Sequence, residues 1–323
     1  MLKVAMLSKW HVHAAGYARD FNSTGASQVV AVWDEEEARG REWAAELGVP
    51  FYASLDELLA TDVDAVCVTT PTTMHREVIK KAAEAGKCIF TEKALETTTE
   101  EALKLADAVR ASGKTFGISF PHKCSPVYRY IKARIAEGAF GKISLFRYRN
   151  AHNGVSGNWL PAYWFDGSKT GGGAMMDLGC HAMYFLADIG GKPKRVSALF
   201  NQLYGTGLDE NAICTVEFEN GAIGVAETAF VSYSAPLVAE VYGTEGSLVA
   251  CGDNIVFQSE KYKDVPVPEL DKTPVLSPIK RFVDACEKGL PSPAEMGIEE
   301  AVALTVLLEN SYIADAENRI VTL

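Results

Sequence analysis

The sequence predicts an α/β protein of two domains: an N-terminal doubly wound parallel sheet over residues 1–120, then a C-terminal α/β domain with a largely antiparallel open sheet over residues 121–323. Three observations carry this expectation. The chain has 323 residues, more than one ordinary hydrophobic core holds. Its first third alternates short apolar, β-rich runs with helical periodicity. Beyond Gly173 it becomes strand-rich, with turn residues spaced as in hairpins.

In the first domain, residues 3–7, 28–33, 65–69, 88–90 and 115–119 read as strands. Two of the intervening helices start with capping boxes, Ser54-x-x-Glu57 and Thr98-x-x-Glu101, in which a hydroxyl and a carboxylate satisfy otherwise orphan amides. Strands that are apolar throughout and separated by helices imply a parallel sheet covered on both faces, with right-handed crossovers. The rhythm changes near Phe120. A helix over 127–137, stopped by Gly138, leads to a strand over 142–149 and an irregular polar and aromatic stretch up to Gly173. One helix at about 174–189 precedes the strand-rich region, whose turns include Glu219-Asn220-Gly221 and Gly243-Thr244-Glu245-Gly246. Helices return over 278–288 and 298–318.

Hydrophobic residues make up 48% and charged residues 23%, the balance of a folded globular protein. Apolar stretches such as 301–304 fall far short of the roughly 18 residues of a membrane span. The N-terminus runs directly into a strand without the pattern of a signal peptide, so a cytoplasmic protein is expected. Seven scattered cysteines without paired spacing point to reduced thiols. A net charge of −11 argues against nucleic acid, whose binding depends on neutralising phosphates, and in favour of a small-molecule ligand.

The first strand ends at Leu7 and leads into Ser8, Lys9, Trp10, His11, Val12 and His13, where a dinucleotide-binding domain carries its glycine-rich turn. The glycines are missing. This loop either holds pyrophosphate through the following helix N-terminus and the side chains of Ser8, Lys9 or His11, or is a plain turn with Trp10 packed inside. Asp34, at the end of the second strand, is placed to bind the adenine ribose and to repel the extra phosphate of NADP, which favours NAD. Its plainer reading is the N-cap of a helix beginning at Glu35. His11 and His13 would share a face of an extended segment, but no third ligand is evident, so no metal is expected.

The segments Thr69-Thr70-Pro71-Thr72-Thr73-Met74-His75, Thr91-Glu92-Lys93-Ala94, 120–143 and Gly171-Gly172-Gly173-Ala174-Met175-Met176-Asp177-Leu178-Gly179-Cys180-His181 resemble, in this order, motifs of the Gfo/Idh/MocA oxidoreductases. Thr72 replaces the family's Asn, Ala94 its Pro, and the first loop lacks its glycines. The resemblance implies a Rossmann domain that binds NAD, with NADP less favoured, and a sugar, inositol or related polyhydroxylated substrate. It places Ser8, Lys9, Trp10, His11, Asp34, Thr70, Pro71, His75, Glu92 and Lys93 at the cofactor. Lys93, Trp164, Lys169, Asp177 and His181 fall at the substrate, with a homodimer or homotetramer as the assembly.

Oxidising an alcohol requires removal of its hydroxyl proton as hydride leaves the same carbon, and neutral histidine is suited to take that proton near pH 7. His181 is the candidate base. Asp177 lies at i, i+4 from it, so on a helix both project from one face. By resemblance, Lys93 bonds the reacting oxygen, Asp177 orients substrate or imidazole, and Glu92 supports Lys93. The plainer readings are a strand-end surface lysine and a helix pair that only stabilises the fold. His75 either lines the nicotinamide side of the cleft or is a polar helix-start residue. The stretch 152–169, with Trp159, Tyr163, Trp164 and Lys169, supplies sugar-facing groups or packs internally. Two other functions remain open: a redox-neutral enzyme that uses NAD in sugar elimination or glycoside cleavage, and a non-catalytic sensor of dinucleotide or sugar.

Overall fold

The computed structural model describes residues 1–252, 254–273 and 276–323. It divides into two compact units, Met1–Pro121 with Leu276–Thr305, and His122–Val275 with Val306–Leu323.

The first unit is built on six strands: β1 (Leu2–Leu7), β2 (Ser27–Trp33), β3 (Phe51–Tyr52), β4 (Ala65–Val68), β5 (Cys88–Thr91) and β6 (Phe116–Ile118). They pair in parallel in the order β3-β2-β1-β4-β5-β6. Five helices connect them: α1 (Ala14–Ser23), α2 (Glu37–Leu47), α3 (Leu55–Leu59), α4 (His75–Glu84) and α5 (Thr99–Ser112). Ser54 and Thr98 cap their helices by accepting from the amides of Glu57 and Glu101, the hydroxyl half of each capping box. Strand order reverses between β1 and β4, and open α/β sheets bind ligands at such a point, beyond the carboxyl ends of the strands. The two-residue β3 is too short to leave a periodic signal in the sequence.

The second unit holds α6 (Pro126–Ala136), β7 (Ile143–Ala151), α7 (Gly167–Thr170), a π-helical turn (Met175–Gly179) and α8 (Cys180–Gly190). Seven further strands follow: β8 (Pro193–Asn201), β9 (Asn211–Phe218), β10 (Ile223–Ala229), β11 (Val238–Gly243), β12 (Gly246–Cys251), β13 (Asn254–Ser259) and β14 (Val321–Thr322). The eight-stranded sheet runs β13-β12-β11-β7-β10-β9-β8-β14, antiparallel except for the β7–β10 pair. Along β9, Ala212, Cys214, Val216 and Phe218 are buried while the alternate residues are not, the period of a sheet with one covered face. Helix α8 packs against β7 and β10. The β9–β10 hairpin turns at Asn220-Gly221, where Gly221 takes φ +88°.

Two late helices complete the units: α9 (Pro278–Glu287) and α10 (Ile298–Ala316). Helix α9, expected with the second domain, instead fills the core of the first unit. Phe282 lies 6.3 Å from the ring of Phe21 and 5.5 Å from that of Phe90, with Ile279 and Val283 beside it. The segment after α9 covers the edge strand β6, whose Phe116 and Ile118 amides donate to the carbonyls of Pro291 and Met296. Among the described residues, no helix is long and apolar enough to cross a membrane.

Candidate active site

The loop after β1 turns most of its predicted phosphate ligands inward. Ser8 is buried with φ +80°, and its Oγ accepts the Trp10 amide at 3.0 Å. Lys9 pairs its ammonium with Glu46 at 2.6 Å and does not supply charge to the loop, because the chain directs its side chain towards α2. Trp10 is 3% exposed, the packed position of the plainer reading. What remains for an anion is the start of α1, where His11 Nδ1 accepts the His13 amide at 3.2 Å and the N-cap side chain of His13 caps none of the amides that follow. Such a helix end offers amide donors and the positive pole of its dipole.

At the end of β2 the two acids differ in how they are held. Both oxygens of Asp34 are engaged: Oδ1 accepts from the Glu36 amide at 2.8 Å and Arg39 at 2.6 Å, Oδ2 from the Lys9 amide at 2.8 Å and Arg39 at 3.0 Å. A carboxylate holding four donors has little capacity left for ribose hydroxyls. The helix itself starts later than expected, at Glu37, with Glu36 as its N-cap residue. Glu35 is different. Its Oε1 accepts from Arg39, while Oε2 is buried without a hydrogen-bond partner, and burial pushes its carboxyl above the usual range. Thr70 Oγ1, just past β4, is also buried without a partner. Two orphaned polar atoms at the carboxyl ends of β2 and β4, with the start of α1, fit a dinucleotide.

Beyond β4 and β5, His75 is 1% exposed and ties two loops together. Its Nδ1 lies 2.8 Å from the Ala94 carbonyl and its Nε2 3.2 Å from that of Thr70, which follows β4 just ahead of Pro71. Burial pushes its pKa down against the pull of those carbonyls, and in the neutral ring a single N–H donates to one of the two. Lys93 is buried at the end of β5, and its amide donates to Glu92 Oε2 at 3.0 Å. The other Glu92 oxygen accepts from the Tyr17 hydroxyl and lies 2.7 Å from His13 Nδ1 and 3.5 Å from His11 Nδ1. Burial alone would raise this carboxyl, but the charges of His11, His13 and Lys93 outweigh it and hold Glu92 well below the usual range. Its side chain thus serves the two histidines as much as Lys93. The sequence offered both histidines but not this third group, which arrives from β5.

In the second unit the predicted pair sits at a change of helix type. Asp177 lies in the π turn and His181 in the first turn of α8; π turns often mark functional sites. Asp177 Oδ2 accepts from the Trp164 indole at 3.2 Å, which gives Trp164 a defined polar contact. His181 is 5% exposed, and its Nδ1 lies 2.9 Å from the Tyr184 hydroxyl. Burial holds Tyr184 well above its ordinary pKa, so the hydroxyl keeps its proton. Lys169 is exposed on α7.

Sequence reasoning missed His122. Its ring stacks on His181 at 4.2 Å and 19°, its Nδ1 meets the Tyr148 hydroxyl at 2.9 Å, and its amide donates to Tyr184 at 3.2 Å. Next to it, Lys123 pairs with Asp188 at 2.7 Å. The base of the site was missed as well. Asp209 Oδ1 accepts the Gly173 amide at 2.8 Å and Oδ2 the Met175 amide at 2.7 Å, while Tyr312 donates to Oδ1 at 2.9 Å. Two of the three glycines have a steric cause. A Cβ on Gly173 would lie 2.2 Å from the Asp209 carbonyl oxygen, and one on Gly172 2.2 Å from the Tyr312 hydroxyl.

Comparison with known proteins decides the family. The NAD-binding Rossmann-fold profile of an oxidoreductase family, Gfo/Idh/MocA, matches residues 9–120, and the Gfo/Idh/MocA C-terminal domain profile matches residues 128–249. A scyllo-inositol 2-dehydrogenase (NAD(+)) of Bacillus subtilis (strain 168) is 31% identical over 237 residues, 70% of this chain and 67% of the relative. The chain belongs to the Gfo/Idh/MocA oxidoreductase family. A 1,5-anhydro-D-fructose reductase of Ensifer adhaerens is another relative, 29% identical over 78% of each chain. Among solved structures, GenD2 from gentamicin A biosynthesis in complex with NAD aligns with a TM-score of 0.84 and 26% identity, over 100% of this chain and 96% of that one. As a Gfo/Idh/MocA protein, the chain is an oxidoreductase with an NAD-binding Rossmann domain and a mostly antiparallel second sheet.

Proposed function

We propose that this protein is an NAD-dependent dehydrogenase that moves a hydride between a carbinol carbon of a sugar, inositol or related polyol and the nicotinamide. The observation that carries the reading is the ordered histidine of the second unit. His181 is stacked by His122 and contacted at Nδ1 by Tyr184, and Asp177 is one turn away, held by Trp164. When the His181 Nδ1–H donates to the Tyr184 oxygen, its Nε2 carries the lone pair and accepts the hydroxyl proton. Lys93 would stabilise the negative charge that develops on the substrate oxygen, and Asp177 would orient substrate or imidazole. Bound NAD supplies the hydride acceptor. On the protein side, the start of α1, Glu35 and Thr70 would hold it. The relatives named for an inositol and for an anhydro sugar support the substrate class.

We place the enzyme in the cytoplasm as a homodimer or homotetramer. The uncovered face of the second sheet, with Leu145, Leu199, Ile213 and Ile223 exposed, would meet a second copy. Light scattering that gives only a 34.9 kDa species at micromolar concentration removes this part.

The test screens sugars and inositols for NADH release, then measures single-turnover hydride transfer in Lys93→Met and His181→Asn with folding and NAD affinity checked alongside. Lys93→Met is expected to lose about a hundredfold in rate, the roughly 3 kcal/mol of a lost donor to a developing oxyanion, and His181→Asn at least about a hundredfold through loss of the general base, while both still bind NAD. The double variant should lose less than the product of the two single effects, because the residues serve one step. Near-wild-type transfer in either folded variant overturns the assignment, and substrate turnover without NADH replaces it with a redox-neutral reaction.

A further inference from the structure

We propose that His11, His13 and Glu92 form a binding site for one divalent transition-metal ion on the turn between β1 and α1. One ligand atom from each of the three residues lies within 4.8 Å of the others. A tetrahedral ion about 2.0–2.2 Å from each donor separates its donors by about 3.3 Å. The observed 2.7 Å and 3.5 Å from Glu92 Oε1 to His13 Nδ1 and His11 Nδ1 bracket that spacing, so the ion requires a sub-ångström opening of the His13–Glu92 pair and release of the His13 amide, which His11 Nδ1 accepts at 3.2 Å.

The chemistry of the three groups agrees. Glu92 is 1% exposed, and a buried carboxylate requires a positive partner. Two imidazoles and one carboxylate leave further coordination positions open, and they suit zinc, iron(II) or cobalt better than magnesium or calcium, which prefer oxygen ligands. The carboxylate is aimed by its neighbours: Lys93 donates its amide to Oε2, and Tyr17, itself 2.6 Å from Ser119 Oγ, donates to Oε1. Such supporting bonds are the usual surroundings of metal ligands. The His13 side chain is 48% exposed, which gives an ion a route in. An ion here would bring to the glycine-free loop the positive charge that Lys9, engaged by Glu46, does not provide.

The experiment takes the full chain, freed of metal by a chelator, and titrates it with Zn²⁺ by calorimetry and with Co²⁺ by visible absorption. One ion per chain is expected. The affinity should fall by at least about tenfold in Glu92→Gln and in the His11→Ala/His13→Ala double variant, since even lost supporting contacts cost 10–100-fold. His13→Ala alone, at a half-exposed position, provides a variant that keeps the fold, and circular dichroism confirms it. No saturable Co²⁺ or Zn²⁺ binding at millimolar metal overturns the site, as does an affinity unchanged in folded His13→Ala. The readout is metal binding alone, so such a failure leaves the dehydrogenase reading standing.

Discussion

Removing the Asp209 carboxylate should detach the start of the helix that carries Asp177 and His181. In Asp209→Ala, the Gly173 amide, the Met175 amide and the Tyr312 hydroxyl all lose an acceptor. A buried donor left without a partner costs about 1–3 kcal/mol. The Gly173 amide retains a second contact, 3.1 Å to Tyr312, and a cavity of about 320 Å³ lined by Gly172, Asp209 and Tyr312 lets water reach the groups. The lower end of the range therefore applies, about 1 kcal/mol for each of three bonds, or about 3 kcal/mol in all. For a unit of this size that is about 2–4 °C per kcal/mol, a fall of roughly 6–12 °C in Tm. Differential scanning calorimetry should show the fall in the transition of the second unit, and single-turnover hydride transfer should slow while NAD affinity holds. Asp209→Asn keeps one acceptor oxygen and should fall between the two. If Asp209→Ala melts with the wild type, the carboxylate does not anchor the glycine-rich segment and the reasoning is wrong.

Glu35→Ala should weaken NAD by about tenfold, a loss of about 1.4 kcal/mol, because its buried Oε2 is the unengaged acid oxygen at the end of β2; calorimetric titration reads it, and unchanged affinity would return the ribose role to Asp34. Arg39→Ala should widen the preference for NAD over NADP, since an arginine at this strand end accommodates a 2′-phosphate; the ratio of the two dissociation constants decides. His75 has a folded pKa below its ordinary 6.5, so its contribution to stability is complete above pH 6.5. It is lost as pH falls below 6.5 towards the folded value, because there the unfolded chain binds a proton that the folded one does not, at up to about 1.4 kcal/mol per pH unit. Urea unfolding at pH 7.5 and 5.5 should show a shallower pH dependence in His75→Gln than in the wild type, and identical slopes would exclude the buried neutral ring as the cause.

What the sequence made legible was local. The apolar runs of the first sheet, the Ser54 and Thr98 caps and the Asn220-Gly221 turn each carry their signal within a few residues. Asp177 and His181 could be read from one motif for the same reason. Their helix was expected to be regular, but its π turn is set beside Asp209 and Tyr312, residues 32 and 135 positions after Asp177, which no local pattern connects to it. His122 likewise gains meaning only by stacking on a residue 59 positions later. Asp34 had the right spacing for a ribose acid, yet Arg39, one helical turn on, takes its oxygens. Spacing reports where a side chain starts and leaves open what else competes for it.

The first unit is interrupted, and this has a consequence for how the protein is made. Residues 1–121 leave the ribosome as a nearly complete parallel sheet, but Ile279, Phe282 and Val283, which cover Phe21 and Phe90, are synthesised much later. At about 5–20 residues per second the delay is roughly 10–30 s, during which a nascent chain carries an open aromatic face. The unpaired amides of β6 wait for the same segment. An N-terminal fragment ending near Pro121 therefore leaves the Phe21 and Phe90 face uncovered, and the first unit has all of its residues only once Thr305 has been added.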